Sequence, residues 1–448
     1  MKRSGLDSGT QSSLFGNNGS SDNTFGLIAF FSNNIIIGGY TINYLVTSAV
    51  YRDLSAWMHI VVAMNTTQAT ASNRLKVYIN GSEATAFSTD NRSSISQNSD
   101  QGINQAVSHA IGRQDTGSGS SYFSGYLADI YFIDGQALDP TSFTETDATT
   151  GQLIPKAYTG SYGTNGFHLE FADNSAATAA ALGKDTSGNG NNWTPSNLSV
   201  TAGAGNDSLV DVPTNGAQTD TGAGGEVRGN YCTWNPLGSG TQNFLNGNLQ
   251  ITRSSAAYAL ARGTFGLTSG KWYWEYTCVT DANEGVGVCT AAHPTSGTYL
   301  GQTADGWAYY SAGLTSNGRK YNNGFSTYGA AWGNGDVIGV AVDVDAQKIW
   351  FSKNGTWQDS GNPATGANAA YTNLPAGGPV FPATTQYAST TDCHINFGQR
   401  AFAYTAPSGF KALCTANLPA PLVTKPSTVM DVSLWTGNGG TQSITLPG

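Results

Sequence analysis

The run GDVIGVAVDVDAQKIWFSKNG, from Gly335 to Gly355, leaves the backbone little choice. Ile338, Val340, Val342 and Val344 recur at every second residue, with Val337, Gly339, Ala341 and Asp343 between them. Alternation of period two puts these sets on opposite faces of an extended strand. After Asp345-Ala346-Gln347-Lys348 it resumes, with Ile349 and Phe351 on one side and Trp350 on the other. Asn354-Gly355 then supplies two residues that tolerate positive φ, as a tight hairpin turn demands. An antiparallel β-hairpin with one face on a core is predicted.

The same grammar recurs in the first half. Trp57 to Met64 followed by Leu75-Lys76-Val77-Tyr78-Ile79-Asn80-Gly81 reads as a strand pair, with Leu75, Val77 and Ile79 on the core face and Lys76 and Tyr78 opposite. Phe25 to Phe31, Ile35 to Ile37 and Tyr126 to Ile133 read as further short strands, separated by Ser/Asn/Gly clusters. Many short strands with turn-rich joints imply a sandwich. A chain of 448 residues exceeds what one core serves, so more than one domain is expected. Residues 1–200 are read as one sandwich, whose edge is closed by Gly166 to Phe171 and the turn-rich Asp185 to Trp193. Residues 201–225, rich in Gly, Ala, Thr, Asn and Asp, are read as linker, and 226–418 as a second sandwich. Residues 419–448 are a Pro-spaced tail and the start of a possible further module. The expected class is all-β, two antiparallel sandwiches in tandem.

Charged residues make up only 11% of the chain, against about 25% in an ordinary soluble domain. Its surface must therefore be dressed with Ser, Thr, Asn and Gly, a skin that suits adhesins and virion appendages. A net charge of -9 without a basic cluster argues against a nucleic-acid partner. The five cysteines are odd in number and show no C-x-x-C or Cys/His spacing, so they are expected as buried reduced thiols. The apolar run near Leu27 to Phe31 falls far short of the ~20 residues that span a bilayer, and no signal peptide opens the chain, so neither membrane insertion nor signal-directed export is expected.

Two family resemblances follow from these residues. The hairpin, together with Gly270-Lys271-Trp272-Tyr273-Trp274-Glu275, Gly285-Val286-Gly287-Val288 and Asn396-Phe397-Gly398, resembles the SPRY domain. Trp57-Met58-His59-Ile60-Val61-Val62, then Leu75 to Gly81, then Phe123 to Tyr131, resembles the laminin-G-like, concanavalin-type jelly roll, in particular the copies in bacteriophage tail fibres and virion appendages. The resemblances imply two concanavalin-type sandwiches in a virion structural protein, extracellular after host lysis. Implied partners are a host surface glycan or protein and other virion proteins, in a homo-oligomer. An architectural spacer is the alternative, and a polysaccharide depolymerase the third reading.

Glycoside hydrolases of such folds set paired carboxylates on one strand or across a cleft. No Glu-x-Asp-x-Glu triplet occurs here, and Asp343-x-Asp345 sits where a hairpin turn begins, a favoured place for Asp. Glu275 matches a structural position of the SPRY family, so the chain is expected not to be an enzyme. Calcium is the one cofactor suggested, because laminin-G-like folds bind it through loop oxygens. Asp90, Asp115, Asp185 and Asn189 are the candidate ligands, with solvated turn residues as the plainer account. For stacking on a sugar or anchoring a protein, the candidates are Trp307, Tyr328, Trp332 and Trp357, aromatic residues in or beside loops.

Overall fold

The hairpin lies within a seven-stranded antiparallel sheet. Val337–Asp343 pairs with Lys348–Lys353 in a register running from Ile338 opposite Lys353 to Asp343 opposite Lys348. Ile338, Val340, Val342, Ile349 and Phe351 point into the main core, and Ala341 and Trp350 into a smaller cluster on the other face. Asn354 and Gly355 turn at φ 48° and 79°. The computed structural model describes the chain except residues 8, 23, 115–120, 239–241, 254, 282, 312–317, 431–436 and 444–448.

The order across this sheet is Gln242–Leu245, Gln250–Arg253, Asp392–Asn396, Lys271–Thr280, Val337–Asp343, Lys348–Lys353 and Thr356–Trp357. A six-stranded sheet packs on it, in the order Ala259–Arg262, Phe381–Gln386, Gly285–Cys289, Gly306–Tyr310, Arg319–Tyr321 and Phe325–Thr327. Trp274, Tyr276 and Val340 from the first sheet meet Val286, Val288 and Tyr309 from the second in one apolar layer. That layer is the core of a sandwich.

The first half has its own sandwich. A six-stranded sheet runs His109–Ile111, Gln11–Asn17, Leu27–Phe31, Asn34–Gly38, Asn43–Thr47 and Phe87–Asp90. Its Phe30, Ile35, Ile37 and Leu45 bury against Leu75 and Val77 of a three-stranded sheet, Ile60–Met64, Leu75–Ile79 and Ser82–Glu83. The predicted strand from Tyr126 to Ile133 is broken in two, since Asp129 adopts φ 48° between Gly125–Tyr126 and Ile130–Phe132. Among the described residues there is no α-helix, and the protein is all-β.

Residues 201–225, read as linker, lie along the second sandwich. Gly225 N donates to Gly398 O at 2.8 Å, Phe402 N to Ala223 O at 2.8 Å and Ala406 N to Gly222 O at 2.8 Å. The Asp220 carboxylate accepts from Ala412 N at 2.8 Å and from the Asn417 side chain at 2.7 Å. The glycines that suggested free chain serve close approach instead. Gly224 and Gly225 both have φ 71°, and a Cβ there would fall 2.7 Å from Arg400 O and 2.8 Å from Ala401 N.

Candidate functional site

Three of the four aromatic candidates belong to the core. Trp307, Tyr328 and Trp332 are 4%, 2% and 1% exposed. The strand Gly306–Tyr310 alternates, so Trp307 and Tyr309 point inward, where Tyr309 packs edge-on to Tyr328 at 5.3 Å and lies 5.9 Å from Trp332. Trp307 spends its indole N–H on Asn373 Oδ1 at 3.0 Å. These rings have no face free for a ligand, which corrects the expectation that they form a recognition surface. Trp357 is half-buried, 6.4 Å from the Tyr273 ring.

The alternate positions of the same strand build a different surface. Ala308 and Tyr310 face out of the sandwich and, with Leu260, Cys289, Leu300, Tyr321 and Ala383, form an apolar floor. Tyr310 lies across Gly285, where a Cβ would fall 2.4 Å from its ring, and its hydroxyl donates to Leu300 O at 2.9 Å. Tyr299 stands edge-on to Tyr321 at 5.7 Å, and Tyr258 packs on Tyr299 at 5.1 Å. The pairing of Ala259 with Gln386 sets Tyr258 and Tyr387 side by side at the strand ends, 4.7 Å apart. At the other edge Phe325 packs on Tyr321 at 5.5 Å, and the Arg319 guanidinium sits 4.4 Å from the Phe325 ring.

A continuous aromatic band therefore crosses the outer face, from Tyr387 through Tyr258, Tyr299 and Tyr321 to Phe325. Its ends are open, Tyr387 at 38% and Phe325 at 62% exposed, and Tyr258 and Tyr299 are half-buried. Burial pushes the Tyr258 phenol up, with the neighbouring tyrosines adding to it. Its rings tilt rather than lie flat, by 48° between Tyr258 and Tyr387 and 50° between Tyr258 and Tyr299. Tyrosine and arginine around an apolar floor form the composition of a protein-binding hot spot. The alternation that turns Tyr309 inward turns Tyr310 outward. Tyr258, Tyr299 and Tyr387 lie outside the strands, where no period marks them.

The described calcium candidates do not form a centre. Asp185 Oδ1 accepts from His168 N at 2.9 Å and Ser187 N at 2.8 Å, and Oδ2 from Ser187 Oγ and Asn191 N, each at 2.9 Å. Burial alone would raise this carboxyl, but those donors hold it below its ordinary value and occupy the lone pairs a cation would need. Asn189 donates its amide to Gly163 O at 2.7 Å and Gly166 O at 2.9 Å. Asp90 is taken by Arg92 at 2.6 and 2.9 Å, and Asp115 lies outside the described residues. Among the described residues no group of three or more His, Cys, Asp or Glu is placed to hold a metal ion.

The other flagged residues have structural work. Asp343 accepts from Ala346 N at 2.9 Å and Asp345 from Gly270 N at 3.0 Å, each bracing a turn. Glu275 accepts from Ala403 N and Tyr404 N at 2.7 Å, which pins the loop that covers the seven-stranded sheet. All five thiols are buried and unpaired.

Residues 271–400 match the family model of the SPRY domain. This region is a SPRY-like domain. The E3 ubiquitin-protein ligase RKP of Arabidopsis thaliana is 29% identical over 167 residues, covering 36% of this chain and 12% of the relative. The ATP-dependent RNA helicase Ddx1 of Drosophila melanogaster is 31% identical over 209 residues, covering 44% of this chain and 25% of the relative. Among solved structures, the SPRY domain of human HERC1 is 24% identical with a TM-score of 0.30, covering 36% of this chain and 96% of that one.

These relatives correct one expectation. The lack of a paired carboxylate set the chain apart from enzymes, yet the relatives it matches are named as a ubiquitin-protein ligase and an RNA helicase. The chain spans a quarter or less of their lengths, so the named activities are those of the whole relatives.

Proposed function

We propose that this chain is a recognition module for surface adhesion, whose SPRY-like sandwich engages a protein partner through the aromatic band. One observation carries the reading: Tyr258, Tyr299, Tyr387 and Phe325 form a connected, partly open apolar surface on a rigid sheet, edged by Arg319. Tilted rings suit the uneven relief of a polypeptide better than the flat face of a sugar. The module's setting in this reading is a virion appendage, with a laminin-G-like first sandwich and other virion proteins and copies of the chain as neighbours. The low charge and the Ser/Thr/Asn/Gly surface support that setting.

The test is binding of the full chain to intact candidate host cells before and after protease treatment. Binding is expected to be protease-sensitive and to fall at least about tenfold in Tyr387→Ala/Phe325→Ala, since hot-spot truncations cost ~2 kcal/mol or more. The melting temperature should hold, because both side chains are exposed. Unchanged binding by the double variant rejects the reading.

A further inference from the structure

Three side chains from distant parts of the chain meet at the seam between the sandwiches: an amine, a carboxamide and a carboxyl. Lys2 lies in the short strand Lys2–Arg3, paired with Gly125–Tyr126. Asp211 and Asn230 are neighbours because Gly229 N donates to Val210 O at 3.3 Å and Gly229 O accepts from Val212 N at 2.9 Å. Lys2 Nζ reaches both side chains, at 2.5 Å from Asp211 Oδ2 and 2.8 Å from Asn230 Oδ1.

The Asn230 amide is held at both ends. Its Nδ2 donates to Ser55 O at 2.8 Å, which leaves Oδ1 as the atom facing Lys2. The hydrogen bond at Oδ1 polarises the carbonyl, and Cγ lies one bond beyond that oxygen, so a small turn brings Nζ onto the carbon. Such enforced proximity replaces a bimolecular encounter.

The surroundings favour moving a proton within the pair. The Lys2 and Asp211 side chains are 1% and 0% exposed, the Tyr126 ring lies 4.8 Å from Nζ, and Trp57 packs edge-on to that ring at 6.4 Å. Out of water, separated charges lose their advantage over a neutral amine beside a neutral acid. Burial accordingly pushes the Asp211 carboxyl up, against the pull of Lys2. An ammonium has no lone pair to offer, whereas the neutral amine is a nucleophile.

We propose that Lys2 and Asn230 join in an intramolecular amide bond, with Asp211 as the general acid and base. One Nζ proton passes to Asp211, Nζ attacks Asn230 Cγ, and the Nζ–Cγ bond forms. A second Nζ proton is relayed through Asp211 to Nδ2, the Cγ–Nδ2 bond breaks and ammonia leaves, with one proton remaining on Asp211. One amide replaces another, so no oxidant, reductant or co-reactant is needed. Asn230 is half-buried, which gives ammonia a way out. In the resting arrangement Nζ donates to Oδ1 instead of aiming at Cγ, so the bond forms slowly and the freshly folded chain holds the ion pair. Once formed, the bond ties the two sandwiches covalently, independently of the aromatic band.

The test is tryptic digestion and tandem mass spectrometry of the full chain, freshly folded and after days at neutral pH below its melting temperature. A branched peptide joining Lys2 to Asn230, lighter than its two parts by one ammonia, should accumulate with time. Succinimide formation at an Asn-Gly site also loses ammonia but leaves the two peptides separate, so the branched species decides. It should be absent from Lys2→Arg, which keeps the charge without a nucleophilic amine, and should form at least about a hundredfold more slowly in Asp211→Asn. Should those variants fail to fold, the unsubstituted chain held in urea serves as the control and should give no branched peptide. Absence of the branched peptide from the incubated folded chain, equal yield in urea, or an undiminished rate in folded Asp211→Asn would overturn the proposal.

Discussion

Lys2 Nζ lies 2.5 Å from Asp211 Oδ2, with 1% and 0% of the two side chains exposed, and this ion pair binds the start of the first sandwich to the stretch that leads into the second. Trp57 Nε1 donates to the other carboxylate oxygen at 3.1 Å, and Lys2 also donates to Asn230 Oδ1 at 2.8 Å. Asn230 in turn donates to Ser55 O at 2.8 Å, and Tyr126 donates to Gly247 O at 2.7 Å. The seam between the halves is thus polar, buried and satisfied. Burial pushes the Asp211 carboxyl up, against the pull of Lys2, so the anion depends on its partner.

The first prediction concerns this pair. Lys2→Met strands a buried carboxylate and should cost about 3–5 kcal/mol, whereas Lys2→Met/Asp211→Leu should recover most of that loss. Urea unfolding measures both. Proteolysis should also begin to cut within residues 201–225 in the single variant, because a weakened seam frees that stretch. A single-variant cost below about 1 kcal/mol would show the pair to be solvated.

A second prediction rests on Glu284 in the second core, whose carboxyl burial pushes up to about 8 from 4.5. It accepts from Tyr276 OH at 2.7 Å, and its Oε1 has no hydrogen-bond partner. A carboxyl with a raised folded-state pKa binds its proton more tightly in the fold. Its contribution is fully present below about pH 4.5 and is lost as pH rises through about 8. The whole loss is on the order of 5 kcal/mol. Urea midpoints should fall between pH 5 and pH 9, and Glu284→Gln should flatten the profile. An equally steep profile in that variant would assign the effect to other groups.

Sequence pattern revealed what local periodicity controls. Val337 to Val344 and Ile349 to Phe351 each alternate cleanly on either side of a turn, so both faces of the hairpin were legible. Gln11–Asn17 was not, because its pairing with Leu27–Phe31 shifts between Ser13 and Phe15 and breaks the alternation. The outer aromatic band is harder still. Tyr258 meets Tyr387 only because distant strands pair. Trp332 shows the converse error: a loop position suggested exposure, while the loop folds its ring under Tyr276 at 6.0 Å.

That burial gives the third prediction. Trp332→Ala and Phe351→Ala each remove a large ring from the main core, where both side chains pack near Tyr309. Each should cost about 3–5 kcal/mol, while Tyr387→Ala on the open band should cost well under half as much. Thermal and urea unfolding of the three variants checks the order. A Trp332→Ala variant as stable as the unsubstituted protein would mean that its loop sits outside the core.

The last prediction separates backbone strain from collision, using two glycines of the hairpin. Gly335 and Gly355 have nearly the same φ, 81° and 79°, so alanine at either should cost about 1 kcal/mol through the left-handed conformation alone. Their surroundings differ. A Cβ at Gly335 has nothing within 4 Å, whereas one at Gly355 falls 2.5 Å from the Tyr404 ring. Tyr404 cannot shift freely, because its backbone N–H is held by Glu275 at 2.7 Å. Gly355→Ala should therefore cost about 1 kcal/mol more than Gly335→Ala, the range expected when a packed contact is overfilled. Disruption should also reach the loop that Glu275 pins, so hydrogen exchange at the Ala403 and Tyr404 amides should quicken in Gly355→Ala and stay unchanged in Gly335→Ala. Equal destabilisation with unchanged exchange at both amides would show that the hairpin turn and the covering loop are independent.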